Sequence, residues 1–195
     1  MIAIIDYGAG NVASVANAVK QVTGNFLVTK RELDICRADK IILPGVGEAS
    51  FAMRQLSLVN ISNLLRIIKK PLLGICLGAQ LLCDKSEEGN VTCLGIFPLT
   101  VTQFKQEGIK IPHMGWNQVN IIKQSRLFEG IADGENFYFA NSYYIPDSEY
   151  TSGKTEYGIT FASAIEKNNF YGVQFHPEKS GEAGARIIRN FIELC

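Results

Sequence analysis

The segment Pro71-Leu72-Leu73-Gly74-Ile75-Cys76-Leu77-Gly78-Ala79-Gln80-Leu81-Leu82 decides how the rest of this chain is read. A short apolar run suited to a buried strand stops abruptly at Gly74-Ile75-Cys76-Leu77-Gly78, and a helical pattern restarts at Ala79. A nucleophile between two glycines at a strand-to-helix turn is a nucleophile elbow, with Cys76 where serine more often stands. Glycines two residues either side let strand and helix cross closely, because neither places a Cβ in the turn. The turn lifts the sulfur beyond the sheet and leaves the Leu77 amide at a helix N-terminus, free to donate to an oxyanion. A buried structural cysteine is the plain alternative. A histidine base decides between the two.

Upstream of the elbow the same pattern repeats. Ile2–Ile5, Phe26–Thr29, Lys40–Leu43 and Leu72–Ile75 read as strands. Helices are expected at about Asn11–Val22, in a short stretch after Thr29, at Glu48–Gln55 and at Ile61–Lys69. Strands that are apolar throughout and alternate with helices predict a parallel sheet covered on both faces. Beyond Gly95 the pattern changes. Ile96–Phe104, Asn117–Ile122, Phe137–Ile145, Ile159–Ile165 and Phe170–Phe175 read as strands with little helix between them, and Lys167-Asn168-Asn169 suits a hairpin turn. A last helix is expected over Glu182–Leu194. The fold class is therefore α/β, a three-layer sandwich with a mainly parallel sheet and an antiparallel extension, in a single domain over residues 1–195.

The chain has only two histidines. His176 stands in Val173-Gln174-Phe175-His176-Pro177-Glu178, at the C-terminal end of an apolar strand, where α/β sheets build their sites. With Pro177 holding the middle extended, Glu178 at i+2 shares the face of His176 and accepts a hydrogen bond from its ring. That bond fixes the tautomer and leaves the other ring nitrogen for Cys76. His113, in Ile111-Pro112-His113-Met114-Gly115-Trp116, is the rival base, but it lacks a nearby carboxylate and reads as structural or interface-lining within a structured loop. The turn Pro44-Gly45-Val46-Gly47 after the third strand is the expected source of a second oxyanion donor.

Several function classes fall away on composition. Nineteen basic residues balance nineteen acidic ones, so no net field draws the chain to nucleic acid or to a membrane surface. Five scattered cysteines without a Cys-x-x-Cys pair suit reduced thiols in a cytoplasm rather than disulfides or zinc, and no metal site is expected. Gly8-Ala9-Gly10-Asn11-Val12-Ala13 satisfies a dinucleotide-binding pattern after the first strand. The second strand, however, ends in Thr29-Lys30-Arg31 without the acidic residue a ribose diol needs, so a dinucleotide-binding module is the lesser reading from another class.

Gly74-Ile75-Cys76-Leu77-Gly78-Ala79-Gln80 together with Phe175-His176-Pro177-Glu178 resembles the class I (triad) glutamine amidotransferases, whose fold is flavodoxin-like. More narrowly, four segments resemble the glutaminase subunits of imidazole glycerol phosphate synthases: Asp6–Asn11, Leu43–Gly47, His113–Asn117 and His176–Gly181. The resemblance spans essentially the whole chain. It implies hydrolysis of glutamine to glutamate and ammonia by Cys76, His176 and Glu178, without a cofactor. It also implies that Leu77 and the turn of Gly45, Val46 and Gly47 hold the oxyanion, while Gln80, Ser142 and Tyr143 help to hold the substrate. The implied partner is a (β/α)8-barrel cyclase in a heterodimer, facing Asn11, Trp116 and Lys179. The cyclase adds the ammonia to a phosphoribosyl-ribulosyl intermediate, giving imidazole glycerol phosphate and aminoimidazole carboxamide ribotide for histidine and purine synthesis. One residue departs from the pattern: Asn141 precedes Ser142-Tyr143 where histidine is expected. An ammonia-supplying subunit of another synthase, such as a sugar-amidinating enzyme, is the alternative that this departure leaves open.

Overall fold

The alternation of apolar strands and helices is realised from the first residues onward. In the computed structural model, which describes residues 1–195, the first half comprises β1 (Ile2–Ile5), α1 (Val12–Lys20), β2 (Phe26–Thr29), α2 (Glu32–Arg37), β3 (Lys40–Leu43), α3 (Ala49–Leu58), α4 (Ser62–Ile67) and β4 (Leu72–Ile75). After it come α5 (Leu77–Leu81), β5 (Cys83–Ser86), β6 (Val91–Thr92), β7 (Phe97–Gln103) and β8 (His113–Ile121). The remaining elements are β9 (Glu135–Asn141), β10 (Tyr143–Tyr144), β11 (Thr151–Glu156), β12 (Thr160–Lys167), β13 (Phe170–Val173) and α6 (Gly181–Leu194).

The main sheet has nine strands in the order β2-β1-β3-β4-β13-β12-β11-β8-β9, and a smaller one has four in the order β10-β7-β5-β6. From β2 to β13 the pairs are parallel; from β13 to β9 they are antiparallel. Strand periodicity explains why the parallel strands are largely apolar on both faces. Ala3, Ile5, Ile41, Leu43 and Leu72 point to one face, where Ile35, Ala52, Met53, Leu56 and Leu65 of the helices cover them. Ile2, Ile4, Ile42, Leu73 and Ile75 point to the other, under Val15 and Val19 of α1 and Ile187, Ile188 and Phe191 of α6. These are the three layers expected. Each of these side chains larger than alanine contributes about 1.5–3 kcal/mol on burial. Lys40 at the start of β3 donates to the carbonyls of Phe191, Ile192 and Cys195, so a charge from the sheet satisfies the C-terminal end of α6.

The decisive topological fact is that β13, from the far end of the chain, lies directly beside β4, with Val173 opposite Ile75. The C-terminal ends of the two strands therefore come together. The hairpin at Lys167–Asn169 is present between β12 and β13, with Asn168 at φ 56°.

Three expectations are corrected. The loop expected over Ile111–Trp116 ends at Pro112, because His113–Ile121 is one strand, paired with β9 from His113 to Val119. The expected single strand Phe137–Ile145 breaks at Ser142: β9 belongs to the main sheet, whereas β10 turns away and pairs with β7 in the small one. The helix after the elbow starts at Leu77 rather than Ala79, lasts five residues, and gives way to β5. The polar run Cys83-Asp84-Lys85-Ser86 carries no strand signal of its own; pairing with β7 makes it a strand.

Candidate active site

Cys76 occupies the turn between β4 and α5 with φ 52° and ψ −111°, a conformation that costs a non-glycine residue roughly 1–3 kcal/mol. The surroundings enforce it. Its amide donates to the Val173 carbonyl at 2.8 Å, while the amides of Ala79 and Gln80 donate to its own carbonyl at 3.0 and 3.1 Å. The flanking glycines are required by close approach. A Cβ on Gly78 would lie 1.9 Å from the Leu43 carbonyl oxygen, one on Gly74 would lie 2.6 Å from the Gly78 oxygen, and one on Gly45 would lie 2.5 Å from the Gly78 nitrogen. The elbow and the Pro44–Gly47 turn are thus interlocked.

His176 follows β13, and its amide donates to the Tyr138 carbonyl at 2.8 Å. Ser180 Oγ donates to the His176 carbonyl at 2.7 Å and accepts from the Tyr138 amide at 2.9 Å, which pins the whole loop to β9. His176 Nδ1 lies 2.8 Å from Glu178 Oε1, and the ring lines the same pocket as Cys76. The expected His176–Glu178 contact is therefore present, but for a different local reason. Pro177–Lys179 is a 3-10 turn rather than an extended segment, and it curls the carboxylate back under the ring. Burial works against charge on the ring, but its interactions with Cys76 and Glu178 outweigh it and raise the His176 pKa to about 10. A sulfur beside a protonated imidazole has the partner an attacking thiolate needs.

The sulfur opens into a pocket of about 340 Å³ whose walls include Val46, Gly47, Leu77, Gln80, Glu88 and Asn141–Tyr143. The amides of Leu77, Val46 and Gly47 donate to no group of the chain, as an oxyanion site requires. Gly45 does not line the pocket; it packs against Gly78 instead. Tyr7 Oη donates to the Pro44 carbonyl at 3.0 Å and holds this turn from behind. The Tyr143 carbonyl accepts from both Gln80 Nε2 and Asn141 Nδ2 at 2.9 Å, and the Ser142 carbonyl accepts from the Phe104 amide. Those two carbonyls are therefore occupied, and what Gln80 and Ser142 present to a ligand is the Gln80 oxygen and the Ser142 amide and hydroxyl.

Among the expected partner-facing residues, Trp116 is 59% exposed and packs edge-on against Tyr138, whose ring also carries the Lys179 ammonium at 5.7 Å. Lys179 borders the pocket itself. Asn11 sits half-buried at the N-cap of α1. His113 is elsewhere in character: it is sandwiched between Phe139 and Tyr157, and its Nε2 accepts from Asn117. Burial lowers its pKa to about 4, so it is a neutral structural ring, as expected. No group of three or more His, Cys, Asp or Glu side chains is placed to hold a metal ion.

Two site residues are not singled out by the sequence reading. Glu88 lines the pocket through its position after β5, an element with no sequence signal. Gln174 donates to Cys76 Sγ at 3.7 Å. A signal for it exists, since it stands two residues before His176 and interrupts an apolar run.

Residues 3–194 match the family model described as glutamine amidotransferase class-I. The chain is 49% identical over 195 residues to the imidazole glycerol phosphate synthase subunit HisH of Bacteroides fragilis, covering 99% of each. It is 44% identical over 194 residues to the protein of that name from Buchnera aphidicola, again covering 99% of each. Among solved structures it is similar to a glutamine amidotransferase at a TM-score of 0.77, 16% identity and coverage of 99% and 98%. A chain of PurLQS from Thermotoga maritima matches at 0.71, with 18% identity and coverage of 98% and 96%. At such identities the structural likeness speaks for the fold.

Proposed function

The chain belongs to the class I glutamine amidotransferases and, within them, to the HisH subunits of imidazole glycerol phosphate synthase; from that premise we propose that Cys76, His176 and Glu178 are its catalytic triad. The single observation that carries this reading is the meeting of Cys76, at a strained elbow, with the Glu178-bonded ring of His176 on one pocket, beside unpaired amides.

Cys76 Sγ attacks the side-chain amide carbon of glutamine. The Leu77 amide and the Val46–Gly47 turn receive the oxyanion, and losing one such donor costs roughly 3–4 kcal/mol of transition-state stabilisation. The proton held on His176 goes to the departing ammonia. Water then gives its proton to His176, adds to the thioester carbon, and expels the sulfur with glutamate. Glu178 keeps Nδ1 occupied so that the other nitrogen faces the sulfur throughout.

An amino-acid substrate is a zwitterion, and the pocket meets it with one carboxylate. Glu88 accepts from the Ala49 amide at 2.9 Å, and burial raises its pKa, a cost that the cationic α-ammonium of glutamine would offset. The Gln80 oxygen and the Ser142 amide and hydroxyl complete the polar contacts. Gly45 serves the reaction by letting the oxyanion turn close onto the elbow.

The function is thus that of the glutamine amidotransferase subunit of a synthase in histidine biosynthesis. The partner we propose is a (β/α)8-barrel cyclase that receives the ammonia in a heterodimer, with Trp116, Lys179 and Asn11 on the facing side. Met114, which lines the pocket and is 63% exposed, and Trp116, two residues on in β8 and 59% exposed, support that choice of face. The chain acts as one domain over residues 1–195, and we assign it to the cytoplasm. No helix is long and apolar enough to cross a membrane, and the scattered free cysteines suit a reducing compartment. Ammonia release from glutamine, measured with and without the cyclase and its nucleotide ligand, tests the reading. Stimulation by the cyclase is expected; a Cys76→Ala variant that still releases ammonia overturns the mechanism.

A further inference from the structure

Gln174 is fully buried at the end of β13, and the reaction as written gives it no part. An amide inside an apolar environment is costly unless both of its ends are bonded. Both are. Its Oε1 accepts from Gln80 Nε2 at 2.9 Å, and its Nε2 donates to Cys76 Sγ at 3.7 Å, a length suited to sulfur's larger radius. The orientation of the amide follows from its neighbours. Gln80 Nε2 also meets the Tyr143 carbonyl at 2.9 Å, and a carbonyl oxygen only accepts, so the Gln80 nitrogen must face that way. Gln174 must therefore turn its oxygen to Gln80 and its NH2 to the sulfur.

Resting on the reading of Cys76 given above, we propose that Gln174 is a positioning residue for the nucleophile, its N–H aimed at Sγ from behind and locked in that aim by Gln80 and Tyr143. Gln174 is not part of the pocket wall, so it acts through the sulfur and not on the substrate. The Gln174 amide reaches Sγ from outside the pocket that Cys76 shares with His176, which leaves the pocket side of the sulfur for the imidazole and the substrate. The N–H is strongest toward the sulfur when the sulfur is anionic, before attack and after the thioester carbon–sulfur bond breaks. The same chain of bonds joins the nucleophile to the Asn141–Tyr143 wall, so sulfur and substrate wall share one frame.

The test uses the full chain with Gln174→Glu and Gln174→Met. Gln174→Glu keeps the shape and the acceptor toward Gln80, but replaces the donor with a negative charge beside the sulfur. The midpoint of the pH profile for alkylation by iodoacetamide is expected to rise by about one unit or more. Gln174→Met is expected to lower kcat for glutamine, with the cyclase present, roughly 100-fold. KM should stay within about twofold, because no substrate contact is removed. Folded variants with the wild-type alkylation profile and the wild-type kcat overturn the proposal. Should either fail to fold by circular dichroism, Gln80→Glu decides the matter. It leaves residue 174 unchanged but invites its amide to flip away from the sulfur, and an unchanged alkylation profile there also overturns the proposal. A Cys76→Ala variant that retains glutaminase activity would instead remove the underlying triad, whereas an inactive Cys76→Ala with unaltered Gln174 variants removes this inference alone.

Discussion

The two histidines of this chain are equally buried, each 3% exposed, yet their pKa values are shifted in opposite directions. His113 lies in β8 among Phe104, Phe139, Tyr157 and Phe161, with one amide donor and no carboxylate, and burial holds it neutral with a pKa near 4. His176 is desolvated too, yet Cys76 and Glu178 bring it to about 10. Burial sets the cost of a charge, and the partners decide whether it is met. The antiparallel region packs an imidazole as if it were another aromatic ring. The junction of β4 and β13 makes one into an acid–base group.

The comparison breaks most severely if the partners of His176 are removed. Cys76→Ala and His176→Ala are each expected to lower glutaminase kcat by roughly 10⁶-fold, measured as ammonia release in the presence of the cyclase. In Cys76→Ala the ring also loses the larger part of what raises it, so its titration, followed by NMR of the ring protons, should move down toward the ordinary histidine range. Next in size is Glu178→Gln, which leaves a neutral partner that no longer stabilises the imidazolium. A loss of roughly 10⁴-fold in kcat is expected.

His113 provides a stability effect rather than a catalytic one. Its pKa in the folded chain lies below that of the unfolded chain, so the unfolded state binds more protons as the medium acidifies. The contribution is fully present above the ordinary histidine value of 6.5 and is lost as pH falls through about 4. About 3 kcal/mol is at stake, read as the fall in unfolding free energy over that interval. His113→Leu should abolish this part of the pH dependence, and a variant that keeps it would place the effect elsewhere. For His176 the sign is reversed: its contribution is present below 6.5 and lost as pH rises through about 10. The smallest effect on chemistry is expected at Trp116. Trp116→Ala should leave glutaminase activity without the partner within about twofold while weakening cyclase binding roughly 30-fold or more, by titration calorimetry.

Much of the parallel half is legible because its signals are local. Ile2–Ile5, Phe26–Thr29, Lys40–Leu43 and Leu72–Ile75 are strands within the expected limits, since each is largely apolar and bounded by turn residues. The antiparallel half is less so. Thr151-Ser152-Gly153-Lys154-Thr155-Glu156 is a strand in the structure, yet polar residues and a glycine conceal it; its pairing with β12 and β8 makes it one. Ser142 reads as the middle of a strand because its neighbours are aromatic, and the change of sheet there has no local signature. The pairing of His176 with Glu178 is predicted for the wrong reason, because proline permits both an extended segment and the first turn of a 3-10 helix.

By itself the sequence determined the chemistry available: one cysteine between two glycines, one histidine with a carboxylate two residues on, and a second glycine turn. It determined the layers too, because strands apolar on both faces must be covered on both. What only the tertiary structure decided was adjacency. Cys76 and His176 lie far apart along the chain, and the insertion of β13 beside β4 joins them. Tertiary packing also decided in which direction each histidine's pKa moves, and it turned the Gln174 amide toward the sulfur. Such outcomes depend on partners distant in sequence, and no local pattern contains them.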